Sequence, residues 1–167
     1  VILNIGTTTE QVALALRRHQ GLMVITNNIN VANILRDSPS AEVVLAGGVV
    51  RHSDGGIMGE ATVDFIKQFK VDFAVIGASA IDRDGTILDY DFREVKVSQA
   101  IIAHARKTIL VSDNLKFERS APVRIADFSM IDVFVTDIEP THEIVEICRA
   151  NKVELIVADQ TAGVRAA

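Results

Sequence analysis

Short apolar runs alternate along the chain with longer segments in which apolar residues recur every three or four positions. The short runs are typical of strands buried on both faces, and the longer segments are typical of amphipathic helices. The predicted strands are residues 1–5, 22–25, 42–46, 71–76, 108–111, 132–136 and 153–157, and the predicted helices are residues 11–19, 30–36, 60–68, 92–106 and 143–150. This alternation predicts an α/β fold with a mainly parallel sheet that carries helices on both faces.

Two of the connections between these elements are longer than the rest. Residues 47–59 are rich in glycine, and residues 78–91 contain Asp84-Gly85, which predicts a hairpin turn. Connections of this length in compact domains are commonly functional or mobile. Both are therefore candidates for functional loops.

Five of the predicted strands end in small, hydroxylic or amide residues. Because ligands bind beyond the carboxyl ends of the strands in such sheets, this convergence predicts a site for a polar small molecule. Turns without a ligand favour the same residue types, which leaves a purely structural explanation open. The residues that follow the five strands are Gly6, Thr7 and Thr8; Thr26, Asn27 and Asn28; Gly47 and Gly48; Gly77, Ala78 and Ser79; and Ser112, Asp113 and Asn114.

The turn after the first predicted strand, Gly6-Thr7-Thr8-Thr9, leads directly towards a predicted helix. Free backbone N–H groups and the positive end of a helix dipole meet at such a turn, so it suits an anion such as phosphate. The same residues fit a capping box, in which the Thr7 side chain bonds a helical N–H and Glu10 reaches back. The two interpretations are compatible if Thr7 caps the helix while Thr8 and Thr9 face the phosphate.

Composition narrows the function classes. The 167 residues are 49% hydrophobic and 23% charged, which fits one globular domain with an aliphatic core, since Trp is absent. A net charge of −5 makes the chain by itself a poor nucleic-acid binder. Cys148 is the single cysteine, which excludes an internal disulfide and is consistent with the cytoplasm. No apolar run approaches the roughly 20 residues of a membrane span, so we expect no membrane partner.

Polar residues in the second half of the chain suggest a possible acid–base chemistry. Glu94 and Lys116, with Asp82, could support proton transfer on a sugar phosphate. The alternative is structural, because Glu94 begins a predicted helix, where the dipole favours a carboxylate. The four histidines, at positions 19, 52, 104 and 142, lack metal-ligand spacing, so we expect neither a metal nor a cofactor.

A series of short motifs in a fixed order resembles the C-terminal sensor domain of the DeoR-type bacterial transcriptional repressors. Residues 26–33 and 54–62 most resemble the branch of glycerol-3-phosphate regulon repressors. The resemblance covers nearly the whole chain up to about Asp137. The motifs are Ile5-Gly6-Thr7-Thr8, Thr26-Asn27-Asn28, Leu45-Ala46-Gly47-Gly48, Gly59-Glu60-Ala61, Asp72-Phe73-Ala74, Gly77-Ala78-Ser79-Ala80-Ile81-Asp82, Glu94, and Val111-Ser112-Asp113-Asn114-Leu115-Lys116-Phe117.

The resemblance implies a fold and a function. The fold is that of ribose-5-phosphate isomerase and the related sugar-phosphate isomerase and CoA transferase-like proteins. The domain, residues 1–167, would bind a phosphorylated sugar or polyol as inducer, with glycerol 3-phosphate favoured, form homo-oligomers, and not be an enzyme. Operator DNA would be bound by a winged helix-turn-helix domain before Val1. Val1 itself lies inside an apolar run, which also leads us to expect a longer protein. A sugar-phosphate isomerase-like enzyme that uses Glu94 and Lys116 is the alternative.

The resemblance also implies site residues. Gly6, Thr7 and Thr8 match the phosphate turn, and Thr9 extends it. Thr26, Asn27, Gly47, Gly48 and Gly77 match neighbouring strand ends, and Asp82, Glu94 and Lys116 match polar positions of an isomerase-like pocket. One departure concerns the helix after Glu94, where Ser98 and Gln99 replace two basic residues that the family usually carries.

Overall fold

The computed structural model describes residues 1–158, which form a seven-stranded sheet with two smaller sheets beside it. The strands are β1 (Ile2–Leu3), β2 (Leu22–Thr26), β3 (Ala41–Leu45), β4 (Val49–Val50), β5 (Ile57–Met58), β6 (Val71–Ile76), β7 (Ala80–Ile81), β8 (Thr86–Asp89), β9 (Ala105–Val111), β10 (Val123–Asp127), β11 (Val133–Thr136) and β12 (Glu154–Val157). The helices are α1 (Thr7–Leu16), α2 (Ile29–Leu35), α3 (Glu60–Ile66), α4 (Phe92–Ala103) and α5 (His142–Asn151).

The main sheet consists of the seven strands that the apolar runs predicted. Its order is β12-β11-β9-β6-β1-β2-β3, and every neighbouring pair is parallel. From β1 the chain winds towards β2 and β3, and it then returns to β6 and winds the other way. The predicted α/β class with a mainly parallel sheet is confirmed.

Alternate residues of the central strands belong to two different cores. Ile2 lies in a core with residues of α3, α4 and α5, whereas the next residue, Leu3, lies in a core with residues of α1 and α2. Ala74 and Val75 of β6 divide in the same way. Because successive side chains of a strand point to opposite faces, the sheet is covered by helices on both sides, as the near-continuous apolar runs predicted.

Both long connections contain small antiparallel sheets. The connection after β3 forms the hairpin β4–β5, and the connection after β6 forms β7 and β8, to which β10 adds. The Asp84-Gly85 turn is confirmed between β7 and β8, where Gly85 has φ of +83°. Strand β10 was not predicted, because it mixes Arg124 and Asp127 with apolar residues and its register shifts after Arg124.

The predicted element ends differ from the structure by a few residues. Helix α1 begins at Thr7 rather than at residue 11, so the threonines belong to its first turn. Helix α4 ends at Ala103 because the backbone from Ala105 onwards pairs with β6. Within the described residues, every helix is too short or too polar to cross a membrane.

Gly48 and Gly47 offer a matched test of the packing around β4 and β5. Gly48 has φ of +153°, and a Cβ at this position would meet Thr62 Oγ1 and lie 2.8 Å from Met58 O. A Cβ on Gly47 would meet no atom within 4 Å. We expect Gly48→Ala to lower the free energy of unfolding by about 1–3 kcal/mol, and Gly47→Ala to change it little. Urea unfolding of both variants measures this, and equal losses would contradict it.

Candidate functional site

A cavity of about 190 Å³ opens beyond the carboxyl ends of β1, β6 and β9. Strands β1 and β6 are neighbours in the sheet, and the chain winds in opposite directions from them. Such a switch point leaves a crevice between the loops that leave for opposite faces, and ligands of open α/β sheets bind there. The cavity is lined by Asn4, Ile5, Gly6, Thr7, Thr8, Arg51, Asp54, Gly77, Ala78, Ser79, Asp89, Val111 and Lys116.

The turn after β1 presents the uncapped start of α1 to this cavity. Gly6 is the N-cap residue with φ of +127°, a conformation that favours glycine, and it makes no side-chain cap. The hydroxyls of Thr7 and Thr8 make no hydrogen bond with any described residue, and the first N–H groups of a helix lack intrahelical acceptors. The turn therefore offers several free donors and the positive end of the α1 dipole to an anion.

The predicted capping box at this turn is wrong. The Thr7 side chain caps no N–H group. The Glu10 carboxylate does not reach back to the turn, because its Oε1 accepts hydrogen bonds from Asn28 Nδ2 at 3.2 Å and Asn30 Nδ2 at 2.9 Å. Thr9 is buried, and its hydroxyl donates to Gly6 O at 2.6 Å, so this hydrogen bond joins the first turn of α1 to its N-cap residue.

Asn4 forms the floor of the cavity at the end of β1. Its backbone N–H donates to Val75 O of β6 at 3.0 Å, and its Nδ2 donates to Ser98 Oγ of α4 at 2.7 Å. Asn4 is buried, yet its Oδ1 finds no hydrogen-bond partner among the described residues. An unpaired buried acceptor of this kind costs free energy, so it is a natural contact for a ligand hydroxyl.

Arg51 and Asp54 form a second part of the cavity wall, and the Glu94 carboxyl lies behind Arg51. The Arg51 guanidinium donates from Nε to Asp54 Oδ1 at 3.0 Å and from a second nitrogen to Asp54 Oδ2. Its Nε also lies 2.8 Å from Glu94 Oε1 in the first turn of α4. Arg51 belongs to the loop between β4 and β5, so this ion pair fixes that loop against α4. Burial alone would raise the pKa of Asp54, but the hydrogen bonds from Arg51 and Gly56 outweigh it and lower that pKa.

Glu94 is the most perturbed acid of the site. Its side chain is 3% exposed, and neither carboxylate oxygen accepts a hydrogen bond from a described residue, because the contact with Arg51 is not aligned as one. Burial raises its pKa from 4.5 to about 8, against the lowering effect of Arg51, while Asp89, Asp54 and Asp91 raise it further. Glu94 therefore carries a proton in much of the population near neutral pH.

The cavity brings together five of the predicted site residues: Gly6, Thr7, Thr8, Gly77 and Lys116. A Cβ on Gly77 would lie 3.3 Å from Ile5 O, so glycine permits the close approach of the segments after β1 and β6. Lys116 is partly buried in the 3-10 helix Asn114–Glu118, and its Nζ forms no ion pair with any described residue.

The other predicted site residues lie outside the lining. The Thr26 hydroxyl donates to Leu3 O at 2.7 Å, which joins β2 to β1, and Asn27 Nδ2 donates to Ile57 O at 3.1 Å, which joins the segment after β2 to β5. Gly47 O accepts a hydrogen bond from Thr62, and Gly48 packs beside the same residue. Thr9, Thr26, Asn27, Gly47, Gly48, Asp82 and Glu94 are the seven residues concerned.

Asp82 and Glu94 lie outside the cavity lining in different places. Asp82 lies exposed in the β7–β8 turn, where its backbone bonds Thr86 and Gly85. Glu94 lies behind Arg51 and contacts the cavity only through it. Ser98 and Gln99, which replace the usual basic pair, lie outside the cavity lining. Ser98 Oγ accepts a hydrogen bond from Asn4 Nδ2, and Gln99 Nε2 donates to two backbone oxygens of β10.

Sequence reasoning did not identify Asn4, Arg51, Asp54 or Asp89 as site residues. Arg51 and Asp54 lie in the long glycine-rich connection, so the length of that loop was the available signal. Asn4 is a polar residue inside an apolar run next to the proposed phosphate turn, which was a second signal. Within residues 1–158, no group of three or more potential ligands could hold a metal ion.

Residues 1–138 match the family model of the DeoR C-terminal sensor domain. The chain belongs to this family. Its DeoR-type relatives include the glycerol-3-phosphate regulon repressors of Haemophilus influenzae, 46% identical over 95% of the chain, and of Escherichia coli K12, 44% identical over 93%. The HTH-type transcriptional repressor CsqR of Escherichia coli K12 is 35% identical over 97% of the chain. The family predicted from the motifs is confirmed.

The chain spans 62% of the length of each of these three repressors. Among solved structures, ribose 5-phosphate isomerase A from Neisseria gonorrhoeae is similar to this DeoR-type chain, and the matched region covers 70% of this chain and 44% of the isomerase chain. That match has a TM-score of 0.44 and 11% sequence identity.

The raised pKa of Glu94 predicts how stability depends on pH. Between about 4.5 and 8 the folded chain holds a proton on Glu94 that the unfolded chain releases, so each pH unit in this window costs up to about 1.4 kcal/mol. The stabilisation that the folded chain gains from this bound proton is fully present below pH 4.5 and is lost as the pH rises to about 8. Glu94→Gln removes it, so the variant should gain stability relative to the parent chain from pH 5 to pH 8.

Urea unfolding of both proteins at pH 5, 6.5 and 8 measures this difference. Glu60→Gln is the control, because Glu60 is an exposed residue paired with Lys96 on the surface. The difference in unfolding free energy between Glu60→Gln and the parent chain should stay nearly constant from pH 5 to pH 8. A constant difference for Glu94→Gln would show that Glu94 stays ionised in the folded chain.

Proposed function

We propose that this chain is the effector-sensing domain of a DeoR-type transcriptional repressor. Its effector is a phosphorylated sugar or polyol, with glycerol 3-phosphate favoured because two of its repressor relatives carry that metabolite in their names. Effector binding is not followed by a reaction, since the named relatives are regulators. The proposal concerns this domain within a longer protein that also binds DNA.

The observation that carries the proposal is the uncapped start of α1 at the switch-point cavity. Thr7 and Thr8 line that cavity with hydroxyls that have no partner among the described residues. A phosphate placed here accepts hydrogen bonds from backbone N–H groups and from both hydroxyls, and it meets the positive end of the dipole. Lys116 lines the same cavity and adds a positive charge without an ion pair of its own.

The remaining predicted residues act as supports in this proposal. Thr9 holds the turn closed, Thr26 joins the end of β2 to the end of β1, and Asn27 joins the segment after β2 to β5. Gly48 allows the segment after β3 to pass close to Thr62, and Gly47 O accepts a hydrogen bond from the Thr62 hydroxyl. Direct contact with the phosphate is proposed for Gly6, Thr7, Thr8, Gly77 and Lys116.

The isomerase alternative required Glu94 and Lys116 to act together as acid and base. Glu94 lies behind Arg51 instead of lining the cavity, although its raised pKa would suit a general base. The named relatives are repressors. We therefore favour binding without turnover, and an assay for isomerisation of ribose 5-phosphate by the purified chain distinguishes the two functions.

Regulation follows from linkage in the whole protein. We propose that a winged helix-turn-helix domain precedes this one, that the protein is a homo-oligomer in the cytoplasm, and that operator DNA contacts only the preceding domain. If the effector binds one arrangement of the domains better than the other, it shifts the population towards that arrangement. Weaker binding to the operator is the proposed consequence.

Thr8→Ala tests the phosphate site directly. We expect it to weaken binding of glycerol 3-phosphate by about 1.5–3 kcal/mol, roughly 10- to 150-fold in Kd, because a hydrogen bond to a charged group is lost. The free energy of unfolding should change little, since the Thr8 hydroxyl caps nothing. Isothermal titration calorimetry and urea unfolding measure the two quantities.

Thr141→Ala is the matched control. Thr141 is the exposed N-cap residue of α5 and, like Thr8, makes no side-chain cap bond. It should leave the affinity for glycerol 3-phosphate unchanged. Equal affinities of the parent chain and Thr8→Ala, or no binding of any phosphorylated sugar or polyol by the folded parent, would contradict the proposal.

A further inference from the structure

The charges around the cavity are distributed unevenly. Arg51, Asp54 and Asp89 line the cavity together, so this wall carries one positive and two negative charges. The Asp89 charge also acts on the pKa of both Arg51 and Glu94, which places all four groups in one cluster. The cluster has an excess of negative charge whenever both aspartates are ionised.

Helix α4 reaches this acidic cluster from the face of the sheet opposite the proposed phosphate turn, and Glu94 at its start lies 2.8 Å from Arg51. Helix α4, which carries Glu94, packs in the core that contains Ile2, whereas α1 packs in the core that contains Leu3. The cavity therefore has a donor-rich side at the start of α1 and an acceptor-rich side next to α4. A ligand that spans it meets two different chemical environments.

Buried acceptors without partners lie on the acceptor-rich side. Asn4 lines the cavity at 2% exposure with Oδ1 unpaired, whereas the two unpaired carboxylate oxygens of Glu94 lie behind Arg51 and outside the lining. Asp89 accepts the Tyr90 N–H at 2.6 Å through Oδ1, and its Oδ2 has no described partner. Ligand hydroxyls can donate to Asn4 Oδ1 and Asp89 Oδ2, whereas a ligand carboxylate cannot.

We propose that the Arg51–Asp54–Asp89–Glu94 side of the cavity, with Asn4, selects the neutral, hydroxyl-bearing end of a polyol phosphate and rejects the corresponding phosphorylated carboxylic acid. This inference rests on the proposed function, because the phosphate must occupy the turn at Gly6–Thr8. It adds the reason for a preference within the class of phosphorylated metabolites.

Arg51 does not reverse this preference. Its guanidinium is held by two hydrogen bonds to Asp54 and lies 2.8 Å from Glu94. Moving it to a ligand carboxylate would break both hydrogen bonds to Asp54 and leave that partly buried carboxylate without its cation, which is costly. In its observed position Arg51 reduces the negative charge of the cluster without being free to bind an anion.

The cavity volume limits the size of the hydroxyl-bearing end. About 190 Å³ lies below the range of roughly 300–1,000 Å³ typical of sites for drug-sized ligands. A three-carbon chain with two hydroxyls and a phosphate suits this volume better than a phosphorylated ring. The matched pair for a test is therefore glycerol 3-phosphate and 3-phosphoglycerate, in which a carboxylate replaces one CH₂OH group.

Calorimetry of the purified chain with each of the two compounds at neutral pH tests the selection. We expect glycerol 3-phosphate to bind about tenfold more tightly or better, because the extra carboxylate faces Asp89 and Asp54. Asp89→Asn removes one of these charges and keeps an oxygen for the Tyr90 N–H. It should reduce the ratio of the two affinities by roughly tenfold, mainly through tighter binding of 3-phosphoglycerate.

Asp84→Asn is the control for this change of charge. Asp84 lies in the β7–β8 turn of the same hairpin, outside the cavity lining, and accepts the Thr86 N–H at 2.9 Å. It should leave the ratio unchanged. Equal binding of both compounds, tighter binding of 3-phosphoglycerate, or an unchanged ratio in Asp89→Asn would each overturn the selection while leaving the phosphate site intact. Failure of both compounds and of inorganic phosphate to bind would overturn the selection and the proposed function together.

Discussion

The reversal of winding direction between β1 and β6 is the constraint on which the site depends. Parallel strands need crossovers, and right-handed crossovers that proceed in opposite directions along a sheet must use opposite faces. Helix α1 therefore leaves β1 on one face, while α4 approaches from the other. The crevice between them needs no special sequence, because it follows from strand order alone. The residues decide only what the crevice can bind.

An uncapped helix start is not by itself a sign of a ligand. Helices α3 and α5 also lack a side-chain cap, whereas Asn28 caps α2 and Asp91 caps α4. What distinguishes α1 is the combination of the switch point, the lining hydroxyls and the diversion of Glu10. That carboxylate is the one group able to occupy the turn in the manner of a capping box, and two asparagines hold it elsewhere.

The sequence predicted the sheet well because each strand and turn has a signal in its own few residues. Each strand of the main sheet is a short apolar run, and Asp84-Gly85 marks its own hairpin. Strand β10 escaped prediction because an edge strand with charged residues and a shifted register carries no clear period. Helix α1 was predicted to start too late because its first turn consists of threonines, which also favour loops.

The candidate site was predictable only in part. Gly6, Thr7 and Thr8 follow a strand directly, so topology alone places them at the cavity. Thr9 follows the same strand, and Thr26 and Asn27 stand at the end of β2, but all three side chains bond backbone oxygens. The direction of a side chain cannot be read from its position in a motif. Arg51 joins the site because its loop folds back against α4, far along the chain, and no local pattern encodes that contact.

The contact between Arg51 and Glu94 also links the cavity wall to helix α4. The loop that carries Arg51 is bound at its other side to α2, where Ile29 N–H donates to Gly55 O at 3.1 Å and Asn30 Nδ2 donates to Asp54 O at 3.3 Å. Asn30 also holds Glu10 of α1. Asn30 therefore connects the two segments that carry Thr8 and Asp54, and the ion pair of Arg51 with Glu94 connects the same loop to α4. Because α1 and α2 lie on one face of the sheet and α4 on the other, this one loop is bonded to helices of both faces.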